Sequence, residues 1–152
     1  CRIDGMDNFQ PDLFIIDLKL KLKKNLLINK IIKKRKTFLI TSKENIKKVS
    51  FFKNKGYKII FIESLASKKD FKKMFKMIYT LGYCRIFFET GITFLNSLLN
   101  YKLLNILYIF KNKNILSQNG YNNSSIHQLK KIKFNKKIKI NLDNDSLFIR
   151  EF

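Results

Sequence analysis

Short continuous apolar runs alternate along this chain with stretches whose apolar positions fall three and four apart. Leu13, Phe14, Ile15 and Ile16, closed by Asp17, form the first run, the pattern of a strand buried on both faces. Residues 19–36 are basic and irregular and predict a loop with a short element around 26–32. A second buried strand is predicted over 37–41. Ser42 then stands at an N-cap position, and Ile46, Val49 and Phe52 follow at helical spacing. Gly56 suits the left-handed position beyond that helix. A third strand is predicted over 57–63. Ser67 and Asp70 have capping-box spacing ahead of Phe71, Met74, Phe75 and Ile78, which fill one helix face ended by Gly82.

The alternation continues beyond Gly82. Residues 85–89 predict a fourth strand, Gly91 opens a helix carrying Phe94, Leu95, Leu98 and Leu99, and 106–110 predict a fifth strand. Residues 112–123 are polar and Asn-rich, a loop, and 124–131 read as a short surface helix carrying His127. Residues 137–142 alternate strictly between polar and apolar, as a half-exposed edge strand does. Residues 143–145 read as a hairpin turn and 147–152 as a closing strand. Strands interleaved with helices predict an α/β fold: a mostly parallel sheet flanked by helices, with antiparallel C-terminal edge strands.

Composition narrows the class. With 152 residues, 45% of them hydrophobic and including 15 Phe and 6 Tyr, the chain can bury a core and is not a disordered basic tail. Two Cys make no disulfide framework, and no CxxC or His/Cys cluster offers a metal site, so none is expected. No uncharged apolar run approaches the roughly 20 residues of a membrane span, and a cytoplasmic location without membrane partners is expected. The formal charge of +21 invites a nucleic-acid reading. The lysines are spread along the chain, however, and accompany Ile, Asn and Phe, all residues with A/T-rich codons. No RNP-type motif, basic zipper or finger spacing supports them, so the charge reads as a solvated surface with no specific nucleic acid. A basic nucleic-acid-binding module stands as the alternative.

Candidate chemistry centres on Glu89, Thr90, Gly91, Ile92 and Thr93. An acidic residue ends a predicted strand and a glycine begins the next helix, and ligands of open α/β sheets collect at the carboxyl ends of strands. There Gly91 would let a phosphate approach the helix start, Thr93 would add a hydroxyl donor, and Glu89 would accept from sugar hydroxyls. Asp17 and Glu63 also end strands, where a carboxylate either anchors a loop or meets a ligand. Cys84 is expected in the core, and His127, without a second ligand or nucleophile nearby, is a bystander.

Residues 81–99, running from Leu81 and Gly82 through Glu89, Thr90 and Gly91 to Leu98 and Leu99, resemble the end of the reductase domain of bacterial riboflavin-biosynthesis proteins, the RibD family. There a leucine-glycine pair, a strand and a Glu-(Gly/Ala)-Gly signature precede a helix and a further strand, as 103–110 does here. Cys1 and Arg2 resemble the end of another family segment, and 13–22 resemble its strand-Asp-loop element. The resemblance covers most of the chain in the family's order. It implies a dihydrofolate-reductase-like fold that uses NADPH to reduce the ribosyl side chain of a phosphorylated pyrimidine, 5-amino-6-(5-phosphoribosylamino)uracil, to the ribityl form; a related reductase of the same fold acting on another pyrimidine or pteridine stands as a further alternative.

Carried over by position, the resemblance implies that Arg2 grips the substrate phosphate and that Glu89 contacts substrate. Gly91, Ile92, Thr93, Phe94, Leu95, Asn96 and Ser97 match the turn and helix that hold NADPH, and Leu18 matches a cofactor-contacting position. No catalytic residue is assigned. Thr90 replaces a small residue of the family signature, Asn105 and Ile106 stand where the family often has Asp-Glu, and its later Gly-Gly is missing. The family's first strand-helix units lie upstream of Arg2, and the chain opens without Met. Residues 1–152 are therefore expected to be one partial domain, the rear part of a reductase domain within a bifunctional deaminase-reductase, inactive by itself. The family's deaminase elements, His-x-Glu and Cys-x-x-Cys, do not occur here. The resemblance further implies pairing of reductase domains into a homodimer.

Overall fold

The computed structural model describes residues 11–112, 129, 131–139 and 145–152. The chain divides into two compact units, Cys1–Cys84 and Arg85–Phe152. The first contains a parallel sheet in the order β1-β2-β3, formed by β1 (Leu13–Ile16), β2 (Thr37–Ser42) and β3 (Lys58–Ile62). Leu13 pairs with Thr37, and Phe38 with Lys58. These are the three apolar runs of the sequence. β2, flanked on both sides, is buried from Thr37 to Thr41, which is why its sequence is continuous rather than alternating.

A short helix α1 (Ile28–Ile31), extended by a 3₁₀ turn over Ile32–Lys34, leads into β2. A 3₁₀ turn at Lys43–Asn45 and helix α2 (Ser50–Lys55) lead into β3. Both connections step the same way across the sheet, so a common crossover hand places them on one face. Ile32 and Phe52 accordingly join Leu39 and Tyr57 in one buried cluster, against Ile15 and Ile59. On the other face the Phe14 and Phe38 rings stack at 4.4 Å, and Tyr83 stands edge-on to both. Tyr83 also donates to the Asp12 carboxylate.

Helix ends follow local chemistry. Gly56 takes φ 103, its N–H donates to the Lys53 carbonyl at 2.9 Å and that of Tyr57 to Phe52 at 3.0 Å. This is the Schellman closure that the glycine predicts, and the Tyr57 ring packs edge-on against Phe52 to complete it. Helix α3 (Lys68–Thr80) begins with the expected capping box: Asp70 N–H donates to Ser67 Oγ at 3.3 Å and Ser67 N–H to Asp70 Oδ2 at 3.0 Å. It buries Phe71, Met74 and Ile78.

The helix predicted after Ser42 differs. Ser42 caps only the 3₁₀ turn, through Glu44 N–H, and α2 starts at Ser50. Asn45 is the reason. Its buried amide reaches back to the strand ends, which fixes a tight turn there and leaves Ile46 59% exposed.

The Ser64 hydroxyl first, and then that of Ser67, hold the Asp70 carboxyl below the usual aspartate range. The stabilisation this gives is complete above that range and is lost as pH falls through the lowered folded value. The melting-temperature gap between the wild type and Asp70→Asn should therefore be widest near neutrality and close below about pH 4. Ser67→Ala, which removes the cap itself, should cost about 1 kcal/mol.

The second unit holds helix α4 (Ile92–Asn100) and an antiparallel sheet in the order β4-β6-β5, from β4 (Ile106–Asn112), β5 (Lys136–Ile138) and β6 (Asp145–Glu151). Ile106 pairs with Glu151, and Ile138 with Leu147. The expectation of one mostly parallel sheet is thus corrected. The fold is α/β with a three-stranded parallel sheet and a separate three-stranded antiparallel one, and β4 belongs to the second.

The predicted strand over 85–89 does not form. Its Ile and Phe residues have strand propensity, but among the described residues no ladder partner pairs them, and Phe87 is 70% exposed. Propensity without a neighbour to hydrogen-bond does not make a strand. Cys84, expected in the core, is a free exposed thiol. The loop over 113–123, His127 and the turn at 143–144 lie outside the described residues. Among the described residues, no helix is long and apolar enough to cross a membrane.

Candidate functional site

The carboxyl ends of β1, β2 and β3 carry several hydrogen-bonded polar groups of the first unit. After β1 the chain turns sharply, and Asp17 holds the turn: its Oδ2 accepts the Leu22 N–H at 2.6 Å, and its own N–H donates to the Ile40 carbonyl at 2.9 Å. Asp17 is therefore a loop anchor. Within the loop it anchors, Leu20 sits at φ 51, a left-handed conformation unusual for a leucine.

Leu18 is fixed by its neighbours. Its carbonyl accepts from the Asn45 amide at 2.8 Å and from the Ser42 N–H at 3.4 Å. The same Asn45 Nδ2 reaches Thr41 Oγ1 at 2.9 Å, so one buried amide ties the end of β2 to the residue after β1. Sequence reading missed Asn45. Its one available signal was an amide residue three positions beyond a capping serine at a strand end.

Beyond β3, Glu63 accepts from Lys43 Nζ at 3.0 Å, and that ammonium keeps its carboxyl below the ordinary value, with Lys73 adding a weaker pull. Both partners are exposed, so the pair adds little to stability. The Asp70 carboxylate is taken by Ser64 Oγ and the N–H groups of Ala66 and Ser67. This rim thus presents the Lys43 and Glu63 charges outward and a backbone turn at Leu18 fixed by Asn45.

In the second unit, Glu89 is exposed and follows residues 85–88, which form no strand. Gly91 is the N-cap of α4 with φ −73 and ψ 164, which any residue can adopt. A side chain there would meet nothing within 4 Å, so the glycine leaves the helix start open. The first turn of α4 contains no acidic residue. Gly91 and Thr93 are exposed, whereas Ile92, Phe94, Leu95, Asn96 and Ser97 are half-buried. Leu95 N–H donates to the Gly91 carbonyl at 3.1 Å, and Ser97 Oγ to Thr93 at 3.2 Å, so these two groups serve the helix itself. Arg2 lies outside the described residues.

This geometry fits a phosphate at the start of α4, where the positive end of the helix dipole meets an uncrowded backbone. Among the described residues, no group of three or more His, Cys, Asp or Glu side chains is placed to hold a metal. The chain matches no family model and no curated protein.

Proposed function

We propose that this chain is the rear part of an NADPH-dependent reductase domain with a dihydrofolate-reductase-like fold. Its substrate on this reading is 5-amino-6-(5-phosphoribosylamino)uracil, reduced to the ribitylamino form within a bifunctional deaminase-reductase of riboflavin biosynthesis. The observation that carries the reading is the open start of α4, with bare Gly91 and no acidic residue in the first turn, directly after Glu89. The β1-β2-β3 parallel sheet, occurring where the family's strand-Asp-loop element is matched, supports it as well.

NADPH, when bound, supplies the hydride, and the chain supplies placement. Gly91, Ile92 and Thr93 would receive phosphate at the helix start. In the first unit the Leu18 carbonyl already serves Asn45 and Ser42, which leaves its N–H and side chain for the contact that the resemblance implies. Glu89 would accept from hydroxyls of the substrate sugar.

Gly91→Asp separates this reading from a merely structural glycine. An aspartate fits φ −73 and favours the helix as an N-cap, so the variant should keep or gain thermal stability. Its carboxylate would repel phosphate and raise the KM for NADPH on the order of tenfold. Glu89→Gln should lower kcat/KM roughly 10- to 100-fold, the scale of losing one charged hydrogen bond. Both are read as NADPH oxidation by the complete protein with the ribosylaminouracil phosphate as acceptor. No oxidation by the wild type would overturn the reading, and unchanged turnover in Glu89→Gln would remove Glu89 from the site.

A further inference from the structure

Helix α3 turns five lysines outward, Lys68, Lys69, Lys72, Lys73 and Lys76, all of them exposed. Lys69, Lys72, Lys73 and Lys76 fall at i, i+3, i+4 and i+7, so like charges stack on one face, which opposes the helix. Lys68 and Lys69 also sit at the amino end, where the helix dipole disfavours cations. The acidic neighbours do not neutralise this face. Asp70 is turned back onto Ser64, Ala66 and Ser67, and Glu63 is hydrogen-bonded to Lys43, with Lys73 exerting only a secondary pull. Among the described residues the ion pairs are Lys36–Asp12 and Lys43–Glu63, and neither involves α3.

We propose that this face of α3 binds the phosphate backbone of a nucleic acid without reading its sequence. From Lys68 to Lys76 the face runs about 12 Å along the helix axis, long enough to meet several successive phosphates. A lipid surface fits less well, because a helix that lies on a membrane buries its apolar side there. In α3 that side, Phe71, Met74 and Ile78, is already in the protein interior. The lysine face carries one exposed aromatic residue, Tyr79, beside Lys72 and Lys76. The proposal is independent of the reductase reading.

The test is fluorescence anisotropy of the 152-residue chain with a labelled mixed-sequence DNA duplex across a salt series. Replacing Lys69, Lys72 and Lys76 by Gln should reduce the slope of log affinity against log salt by about 2.7. Between about 50 and 200 mM salt, the affinity lost by the variant should then be some 40-fold smaller than that lost by the wild type. The control replaces the exposed Lys47, Lys48 and Lys53 by Gln and should leave the slope unchanged. An equal fall in the control would overturn the proposal in favour of diffuse charge, as would absence of duplex binding by the wild type. Vesicles containing phosphatidylserine provide the other arm. Vesicle binding lost in the α3 variant, with duplex binding unchanged, would overturn it in favour of a membrane surface. Circular dichroism should show both variants folded, since the α3 substitutions relieve like-charge repulsion and the control changes only exposed side chains.

Discussion

Leu39→Ala should destabilise the chain by about 2–5 kcal/mol, a large part of the stability of an ordinary domain. Leu39 is 0% exposed in the middle of β2, where it joins Ile32, Phe52 and Tyr57 beneath α1 and α2. Truncation removes apolar contact and leaves a cavity walled by two β-strands that pair with β2 on either side, so the site has little room to collapse. Urea unfolding should show a lower midpoint with an unchanged slope. Ile46→Ala, made at an exposed residue between β2 and α2, should stay within about 0.5 kcal/mol of the wild type. Equal effects from the two would mean that the cluster around Leu39 is not close-packed.

Asn45→Ala should cost about 1–3 kcal/mol, and its effect should reach the candidate site. The substitution leaves the Leu18 carbonyl with only the longer Ser42 N–H bond and deprives Thr41 Oγ1 of its donor. If Leu18 contacts NADPH, loosening the turn should raise the KM for NADPH more than it lowers kcat. Loss of stability with an unchanged KM would take Leu18 out of cofactor contact. The Asn45→Asp variant, which retains shape but cannot donate from that position, should reproduce the effect rather than rescue it.

The parts of the fold legible in the sequence were those specified by neighbouring residues. Gly56 and Gly82 both take positive φ at helix ends, and Ser67 and Asp70 make both bonds of their box. β2 could be read because its two paired edges require apolar residues on both faces. The segment 85–89 misled because Ile86, Phe87 and Phe88 resemble a strand locally, while a strand exists only where a ladder partner does. β4 was legible as a strand but not in its pairing. Its partner β6 lies far along the chain, and nothing within Ile106–Asn112 specifies an antiparallel neighbour.

The candidate site was less legible for the same reason. Spacing located Gly91 at a helix start, and the structure adds that its value there is space rather than conformation, since φ −73 suits any residue. Asp17 and Asn45 do their work through partners on other segments. A carboxylate after a strand gives no local indication of whether it anchors a loop or awaits a ligand. Only the bond to Leu22 decides that.

The order of strands also bears on how the chain comes off the ribosome. β1, β2 and β3 are neighbours along the sequence as well as across the sheet, so each emerges beside a strand already laid down. The parallel sheet can close while the carboxyl-terminal half is still being made. β4 has no such sequel. Ile106 waits for Glu151, and until β6 arrives the backbone of Ile106–Asn112 has no β6 partner. That interval is when newly made chains are most exposed to pairing with one another, and when they most need a chaperone.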